Sequence, residues 1–405
     1  MTSMNNSPVV FREYPTHSGH LIAEAMLNDA DALNALSLEM IDLLYAQLIA
    51  WAKNTQVVCV VLKGAGDKAF CAGGNIRKLY ESILETKYTR NLYAERFFSR
   101  EYQLDYLIHQ YKKPVICLGK GFVMGGGIGL INGASHRIVC ESSVLAMPEI
   151  NIGLFPDVGS SWFLSRMPEG IGAFAGMTGV RMKAADALFV GLADHYLPFQ
   201  QFNALEQQLT AILWKDSHAE GDADNHVLLT DALNQLAEPY ICECPSSALK
   251  KYHQQIAAIT ANSAPDKILQ KLLSSENPWL NKWAKPLKNG CPVTAWIVQE
   301  QIKRAATMSL AEIFKMEFDI AIQCTRYKDF CEGIRALLID KDNQPQWEDK
   351  SLSDVSQEKI ASFFISHWSD EEHPLKNLTE ILSVINAKQS IIKDILQEKT
   401  AEQKS

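Results

Sequence analysis

Two glycine-rich turns constrain this chain more than any other feature of its sequence. One is the pair in residues 70–75, which contains Gly74, and the other is the triplet in residues 124–129, which contains Gly126. Each follows a predicted strand, and glycine lets a backbone turn sharply or approach a ligand without an intervening Cβ. The alternatives are an ordinary turn for the pair and close helix–strand packing for the triplet.

Three acidic residues lie in apolar surroundings. Glu149 is flanked by aliphatic residues, so we expect burial to raise its carboxyl pKa, unless it faces solvent at the apex of a loop. Asp157 precedes a predicted helix and is either an N-cap or a functional carboxylate, or both. Glu101 follows Phe97 by four residues on the apolar stripe of a predicted helix, which makes it a rim residue or a buried functional group.

The glycines and the acids together have a chemical meaning that neither has alone. Backbone N–H groups at glycine turns can stabilise a developing oxyanion. A desolvated carboxyl can both accept and donate a proton near neutral pH. These are the two requirements of acyl chemistry on a thioester.

Strand and helix patterns predict an α/β core followed by helices. A hairpin is predicted over residues 9–14 and 20–27, with further strands over 57–63, 114–118, 138–140 and 144–147. Helices are predicted over residues 36–52, 95–111 and 125–133 and almost throughout after 159, with a loop over 148–157. We divide the chain into an active-site core of residues 1–200, a helical region of 201–365 that closes on it, and a helical extension of 366–405.

A helix is also predicted over residues 374–399, with an apolar stripe that either packs on its own domain or forms a subunit contact. Two other glycine motifs are rejected. Residues 64–69 match a dinucleotide-binding pattern, but the sequence that follows is a poor helix start. No segment completes the G-x-S-x-G pattern of a serine hydrolase.

Composition excludes several classes of function. A net charge of −8 argues against a nucleic-acid partner. The nine cysteines show no zinc spacing, so we expect free thiols in a reducing compartment and no bound metal. We find no membrane span, signal peptide or mitochondrial leader, which favours a cytoplasmic protein.

With these motifs the chain resembles the crotonase (enoyl-CoA hydratase/isomerase) superfamily. The most specific stretches are residues 68–74, 124–130, 147–149 with 153–159, and 330–342. The resemblance implies a crotonase-like spiral of ββα units and coenzyme A bent into a groove. It also implies an acyl-CoA partner and no cofactor besides coenzyme A as part of the substrate. The subunit contact considered for the C-terminal stripe would make a homo-oligomer.

The resemblance also assigns roles to particular residues. Gly74 and Gly126 match the two oxyanion donors, and Glu149 matches the catalytic glutamate. Asp157 and Glu101 match carboxylates at the acyl end of the pocket. The neighbouring residues Ala72, Gly73 and Asn75 are predicted to line the substrate. Two departures bear on acyl specificity, because Asn75 stands where the family usually has Asp, and Ser160 and Ser161 stand where glycines are common.

Within the superfamily, residues 155–157 and 330–342 favour the hydrolase branch, which releases 3-hydroxyisobutyrate from its coenzyme A thioester in valine breakdown. Hydratases place a second glutamate three residues after the middle oxyanion glycine, and this chain has Gly129 there. The alternatives are an enoyl-CoA hydratase or isomerase with Glu149 as its only base, and an inactive acyl-CoA-binding protein.

Overall fold

The computed structural model describes residues 7–217 and 219–381, whose strands form two sheets. The strands are β1 Val9–Pro15, β2 Leu21–Leu27, β3 Val57–Gly64, β4 Ala69–Cys71, β5 Val115–Gly119, β6 Phe122–Met124, β7 His136–Val139, β8 Val144–Ala146, β9 Met182–Lys183 and β10 His195–Tyr196. The first sheet has the order β1-β2-β3-β5-β7-β10, and the second has the order β4-β6-β8-β9.

Helices account for most of the remaining described chain. The N-terminal ones are α1 Leu38–Lys53, α2 Ile76–Thr86, α3 Leu92–His109, α4 Gly126–Gly133, α5 Ser160–Leu164, α6 Ile171–Thr178, α7 Ala184–Val190, α8 Phe202–Ala211 and α9 Ala219–Ala237. They are followed by α10 Ala248–Thr260, α11 Pro265–Leu273, α12 Pro278–Asn281, α13 Ala284–Asn289, α14 Pro292–Ala305, α15 Leu310–Cys324, α16 Lys328–Ile334 and α17 Gln357–Ser362. Polar N-caps begin three of the long helices, Ser37 for α1, Asn91 for α3 and Ser309 for α15.

The chain alternates between the two sheets as it advances. Strands β3, β5 and β7 are parallel neighbours in the first sheet, and the strands that follow them, β4, β6 and β8, are parallel neighbours in the second. A helical segment follows each of these strand pairs. The repetition is the predicted spiral of ββα units, and it confirms the α/β class with helices in the C-terminal part.

Strand β3 shows how the first sheet is covered on both faces. It is buried along its whole length except at Lys63, which is half-buried. Val60 packs in the main core with α1, whereas Val61 packs in a second core formed with α8 and α9. A continuous apolar run is typical of such a central parallel strand.

Most predicted elements are confirmed, with ends that differ by a few residues. The hairpin is the antiparallel pair β1 and β2. The turn at residues 64–69 leads into β4 and not into a helix, in agreement with the rejection of dinucleotide binding. Strands β4 and β6 are three residues long and were not predicted, whereas β8, of the same length, was predicted because it begins a longer apolar run.

The predicted C-terminal helix is wrong at its start. Residues 374–377 form a turn, where the Leu375 N–H donates to Nδ1 of His373 at 3.0 Å, and Leu378–Glu380 form one 3-10 turn. Leu378 and Ile381 are nevertheless buried in the main core. The rest of that helix, from residue 382, lies outside the described residues. The division at residues 200 and 365 stays a prediction.

No helix within residues 7–217 and 219–381 is both long enough and apolar enough to cross a membrane.

Candidate active site

Three neighbouring strands of the second sheet end at one edge of the molecule. Strands β4, β6 and β8 are parallel. Gly74 follows the end of β4, Gly126 follows β6 and Glu149 follows β8. In α/β proteins, ligands bind outside the carboxyl ends of parallel strands. The topology therefore brings together motifs that are far apart in the sequence.

The backbone N–H groups of Gly74 and Gly126 lie side by side. The Gly74 nitrogen is 3.5 Å from the position that a Cβ at residue 126 would occupy. Within the described part of the chain, neither N–H donates a hydrogen bond. Backbone N–H groups away from water are nearly always paired, so two adjacent unpaired donors form a site for a negatively polarised oxygen.

Glycine is needed in the second turn for two different reasons. Gly125 has a φ of 48°, in the left-handed region that favours glycine. A Cβ at Gly127 would collide with the carbonyl oxygen of Cys71 at the end of β4. The close-packing interpretation therefore holds for Gly127, and it is compatible with a donor at Gly126 that has no acceptor among the described residues.

Glu149 begins the 3-10 turn Glu149–Asn151 and is only 5% exposed. Its Oε1 lies 3.2 Å from the Cβ position of Gly125, and its Oε2 has no hydrogen-bond partner among the described residues. Burial raises the carboxyl pKa well above its ordinary value, and the nearby Asp157 raises it further. The solvent-facing alternative is therefore wrong.

Helix α3 crosses the same edge and carries Glu101, which is 2% exposed. Its Oε1 occupies the space that a Cβ on Gly126 would need, and it lies 3.8 Å from the Cβ position of Gly74. No described residue bonds to this oxygen. Glu101 is therefore a buried group at the site and not a rim residue.

Asp157 lies on the loop after the 3-10 turn and is also buried. The Tyr102 hydroxyl donates to its Oδ2 at 2.9 Å. Burial raises the pKa of Asp157 to about 7, although the hydrogen bond from Tyr102 lowers it. The interpretation of Asp157 as an N-cap is wrong, because Gly159 occupies the N-cap position of α5.

Glu317 of α15 binds the N–H groups at the start of α5. Its Oε2 accepts from Gly159 at 2.6 Å, and its Oε1 accepts from Ser161 at 2.7 Å. Burial raises the pKa of Glu317 to about 8, although these hydrogen bonds lower it. Sequence reasoning missed this residue, because 156 residues separate it from Ser161.

Helix α14 holds the carbonyl groups of the same loop. Thr294 donates to the Leu154 carbonyl at 2.5 Å, and the Gln301 amide donates to the Pro156 carbonyl at 2.9 Å. Val158 has a φ of 55°, which is rare for a β-branched residue. The C-terminal helices therefore fix a loop conformation that local preferences disfavour.

Asp105 is a fifth buried carboxyl, and sequence reasoning missed it. It lies one turn after Glu101 on α3, has no exposed surface, and both of its oxygens lack partners among the described residues. The oxygens lie 2.7 and 2.8 Å from the Cβ position of Gly129. The i, i+4 spacing from Glu101 was the available signal, because it puts both acids on one face of the helix.

The pKa values of the buried carboxyls at this site are set mainly by burial and by repulsion between like charges. Burial raises the pKa values of Glu101 and Asp105 well above the ordinary range, and the nearby Asp157 raises both further. Asp157 has the Tyr102 donor and ionises most readily. Each further ionisation then places a second negative charge beside the first, so the group retains protons at neutral pH.

The other predicted substrate contacts lie at the turn after β4. Asn75 is exposed and caps α2, with its side chain accepting from the Lys78 N–H at 3.4 Å. Gly73 has a φ of 108°, and the Ala72 N–H donates to the Leu33 carbonyl at 3.0 Å. Contact of residues 72, 73 and 75 with a substrate stays a prediction.

Within residues 7–217 and 219–381, no three His, Cys, Asp or Glu side chains are placed to hold a metal ion. All nine cysteines lie within these ranges and are free, which agrees with the expected free thiols.

Residues 22–364 match the model of a protein family described as enoyl-CoA hydratase/isomerase. The matched range contains both glycine turns and every acidic residue of the site. It also contains the C-terminal helices that hold the Asp157 loop.

Three similar curated proteins share the name 3-hydroxyisobutyryl-CoA hydrolase, mitochondrial. The Danio rerio protein is 36% identical over 344 residues, which are 84% of this chain and 86% of that protein. The Gallus gallus protein is 35% identical over 338 residues, covering 84% of this chain and 85% of its own length. The Homo sapiens protein is 34% identical over 345 residues, covering 85% and 86%.

Similar solved structures carry hydratase and dehydratase names. An enoyl-CoA hydratase from Rhodobacter sphaeroides superposes with a TM-score of 0.76 at 30% identity, over 89% of this chain and 98% of that one. A carnitinyl-CoA dehydratase from Mycobacterium thermoresistibile gives 0.78 at 28% identity, over 89% and 97%.

Proposed function

The chain belongs to the enoyl-CoA hydratase/isomerase family, and we propose that it is an acyl-CoA thioester hydrolase acting on 3-hydroxyisobutyryl-CoA. One observation carries the proposal. Two backbone N–H groups that have no acceptor among the described residues, at Gly74 and Gly126, lie at the strand ends beside the buried carboxyl of Glu149. The name shared by the similar curated proteins supports the choice of substrate.

In the proposed reaction the thioester oxygen accepts hydrogen bonds from Gly74 and Gly126, which form the oxyanion hole. Negative charge then develops on that oxygen, and one such donor contributes on the order of a hundred- to a thousandfold in rate. The donors belong to the backbone and need no rearrangement to meet the charge.

Glu149 then has two possible roles. As a general base, its carboxylate takes a proton from a water molecule that attacks the carbonyl carbon. As a nucleophile, it attacks that carbon itself and forms a mixed anhydride, which water opens. In both routes the carbon–sulfur bond breaks, the coenzyme A sulfur leaves and takes up a proton, and 3-hydroxyisobutyrate is released.

Glu101 and Asp157 bind and orient the acyl end in this proposal. Glu101 lies against the glycine pair and can accept the acyl hydroxyl. Asp157, held by Tyr102, orients Glu149 or the same hydroxyl. A site built to hydrogen-bond a substrate hydroxyl rejects an analogue without it, because buried polar groups are left unpaired.

Hydration of an enoyl-CoA is the second candidate, and one observation makes it worth testing. The Asp105 carboxyl lies at the place where a side chain at position 129 would start. Glu149 and Asp105 would then supply the two carboxyls that a hydratase uses. Against this, Asp105 has no exposed surface from which to meet a substrate.

The test is a panel of coenzyme A thioesters incubated with the purified protein. It should include 3-hydroxyisobutyryl-CoA, isobutyryl-CoA and a short enoyl-CoA, with thiol release and enoyl absorbance followed in parallel. The proposal requires thiol release that is fastest with the hydroxylated acyl group. Loss of enoyl absorbance without thiol release would support the hydratase instead.

Three further properties belong to the proposal. We propose a place in valine catabolism, no cofactor apart from the coenzyme A of the substrate, and a cytoplasmic location, although the similar curated proteins are named as mitochondrial. Cell fractionation tests the location. A homo-oligomer stays a prediction for sedimentation analysis.

A further inference from the structure

Glu101 lies against both glycines of the proposed oxyanion hole. Its Oε1 fills the space beside Gly126 and lies 3.8 Å from the Cβ position of Gly74. The residue is 2% exposed, and this oxygen has no hydrogen-bond partner in the described chain. An ionisable group in this position either stabilises or destabilises the negative charge that develops on the thioester oxygen.

A negative charge on Glu101 would destabilise the negative charge on the thioester oxygen. Two like charges about 4 Å apart at the effective dielectric constant of a protein repel strongly enough to slow a reaction on the order of a thousandfold. That is as much as one oxyanion donor contributes. A charged Glu101 would therefore cancel the effect of one of the two glycines.

The groups around Glu101 do not offset such a charge. Arg100, the cation next to Glu101 on α3, donates a hydrogen bond to Asp42 of α1 at 2.7 Å. Helix α4 begins with glycines, which carry no charge. The charged side chains of α2, including Arg77 and Lys78, are exposed. The ionisable groups near Glu101 are Tyr102 and Asp105 on α3, Glu149 and Asp157 after β8, and Cys71 on β4.

We propose that Glu101 works as a neutral carboxylic acid, donating a hydrogen bond toward the thioester oxygen and accepting one from the acyl hydroxyl with its other oxygen. The neutral acid changes a repulsive neighbour into a third donor beside Gly74 and Gly126. Burial, followed by the nearby Asp157, opposes ionisation of Glu101. The inference rests on the proposed function for the identity of the oxygen that is bound.

The kinetic test compares the parent with Glu101→Gln and Glu101→Met. Glutamine keeps a planar group with an N–H donor, whereas methionine keeps the volume without strong hydrogen bonding. The parental kcat should fall at alkaline pH as Glu101 ionises. Glu101→Gln should lack that decline and keep about a tenth or more of the parental rate, and Glu101→Met should lose on the order of a hundredfold or more.

Two kinetic results would overturn the proposal in variants that keep the parental circular dichroism. One is an alkaline decline that persists in Glu101→Gln. The other is an equal loss of rate in the glutamine and methionine variants.

An infrared difference spectrum supplies a test that needs no turnover. Near neutral pH, the parent-minus-Glu101→Gln difference spectrum of the substrate-free proteins should contain a positive protonated-carboxyl band, since the other buried carboxyls contribute to both spectra. Absence of that band from the difference spectrum would overturn the proposal even if thiol release is observed. A band without thiol release from any acyl-CoA would refute the proposed function and leave the neutral Glu101 in place.

Discussion

The Tyr102 hydroxyl donates a 2.9 Å hydrogen bond to Oδ2 of Asp157. Tyr102 is fully buried on α3, where its ring packs against Phe98 and Phe314 at centroid distances of 6.0 and 5.7 Å. The bond joins α3 to the loop after β8. It also gives Asp157 a side-chain donor that the described structure does not give to Glu101, Asp105 or Glu149.

Tyr102→Phe should therefore shift the pH dependence of thiol release. Removing the donor raises the pKa of Asp157 above its present value of about 7, so the acid limb moves to higher pH. A hydrogen bond to a charged group is worth about 1.5–3 kcal/mol, or roughly one to two pH units. A pH profile identical to the parent would show that Asp157 does not control that limb.

Asp157→Asn should reduce the rate without loss of stability. The α5 N-terminus is held by Glu317 and not by Asp157, so the melting temperature should stay unchanged or rise once a buried ionisable group is removed. Thermal melts and thiol release on the same preparation check this. A lower melting temperature with an unchanged rate would make Asp157 a structural residue.

Conformational stability should decrease as pH rises. The pKa of Asp157 is raised from 3.8 to about 7, and that of Glu317 from 4.5 to about 8. A raised folded-state pKa stabilises the protein fully below the unfolded value, and the contribution is lost as pH rises through the folded value. The free energy of unfolding should fall between about pH 4 and pH 8, by up to about 1.4 kcal/mol per pH unit for each retained proton.

Guanidinium unfolding at a series of pH values measures this slope, and Glu317→Gln should make it shallower. Equal slopes for the parent and the variant would mean that Glu317 does not retain its proton.

Gly129→Ala should destabilise the protein, because its Cβ would lie within 2.8 Å of both Asp105 oxygens. Overpacking of this kind typically costs about 1–3 kcal/mol. Combining it with Asp105→Ala should recover part of the loss, since neighbouring substitutions are not additive. Urea unfolding of the two single variants and the double variant completes the cycle, and strictly additive effects would contradict the contact.

Two truncations test the C-terminal segment. Deleting residues 377–405 removes the buried Leu378 and Ile381 and should lower stability, whereas the matched deletion of 382–405 keeps both side chains. Thiol release per folded site should largely survive in both proteins. Loss of all activity in a folded 377–405 deletion would show that the segment closes the pocket, and sedimentation would show any change of mass.

Local patterns were enough to predict much of the fold and the main site groups. Strand β3 is a continuous apolar run, and the hairpin and α1 have clear periodicity. The glycine turns were recognisable from their composition, and Glu149 from its position among aliphatic residues. Burial of Glu149 followed from its aliphatic neighbours alone.

Long-range contacts could not be predicted in this way. Glu317 meets the start of α5 only after the C-terminal helices pack on the core. The choice between cap and functional carboxylate for Asp157 depended on that contact. Asp105 had helical spacing from Glu101, but its neighbour Gly129 is on another helix, and single-sequence periodicity does not show which helices meet.

Thiol release from 3-hydroxyisobutyryl-CoA by the parent and by Glu149→Gln tests the central claim most directly. The substitution removes the acid/base and keeps the volume nearly unchanged, so coenzyme A binding should persist while turnover falls by several orders of magnitude. Calorimetric binding of coenzyme A provides the control for folding. Near-parental release by Glu149→Gln, or no thiol release by the parent, would contradict the account.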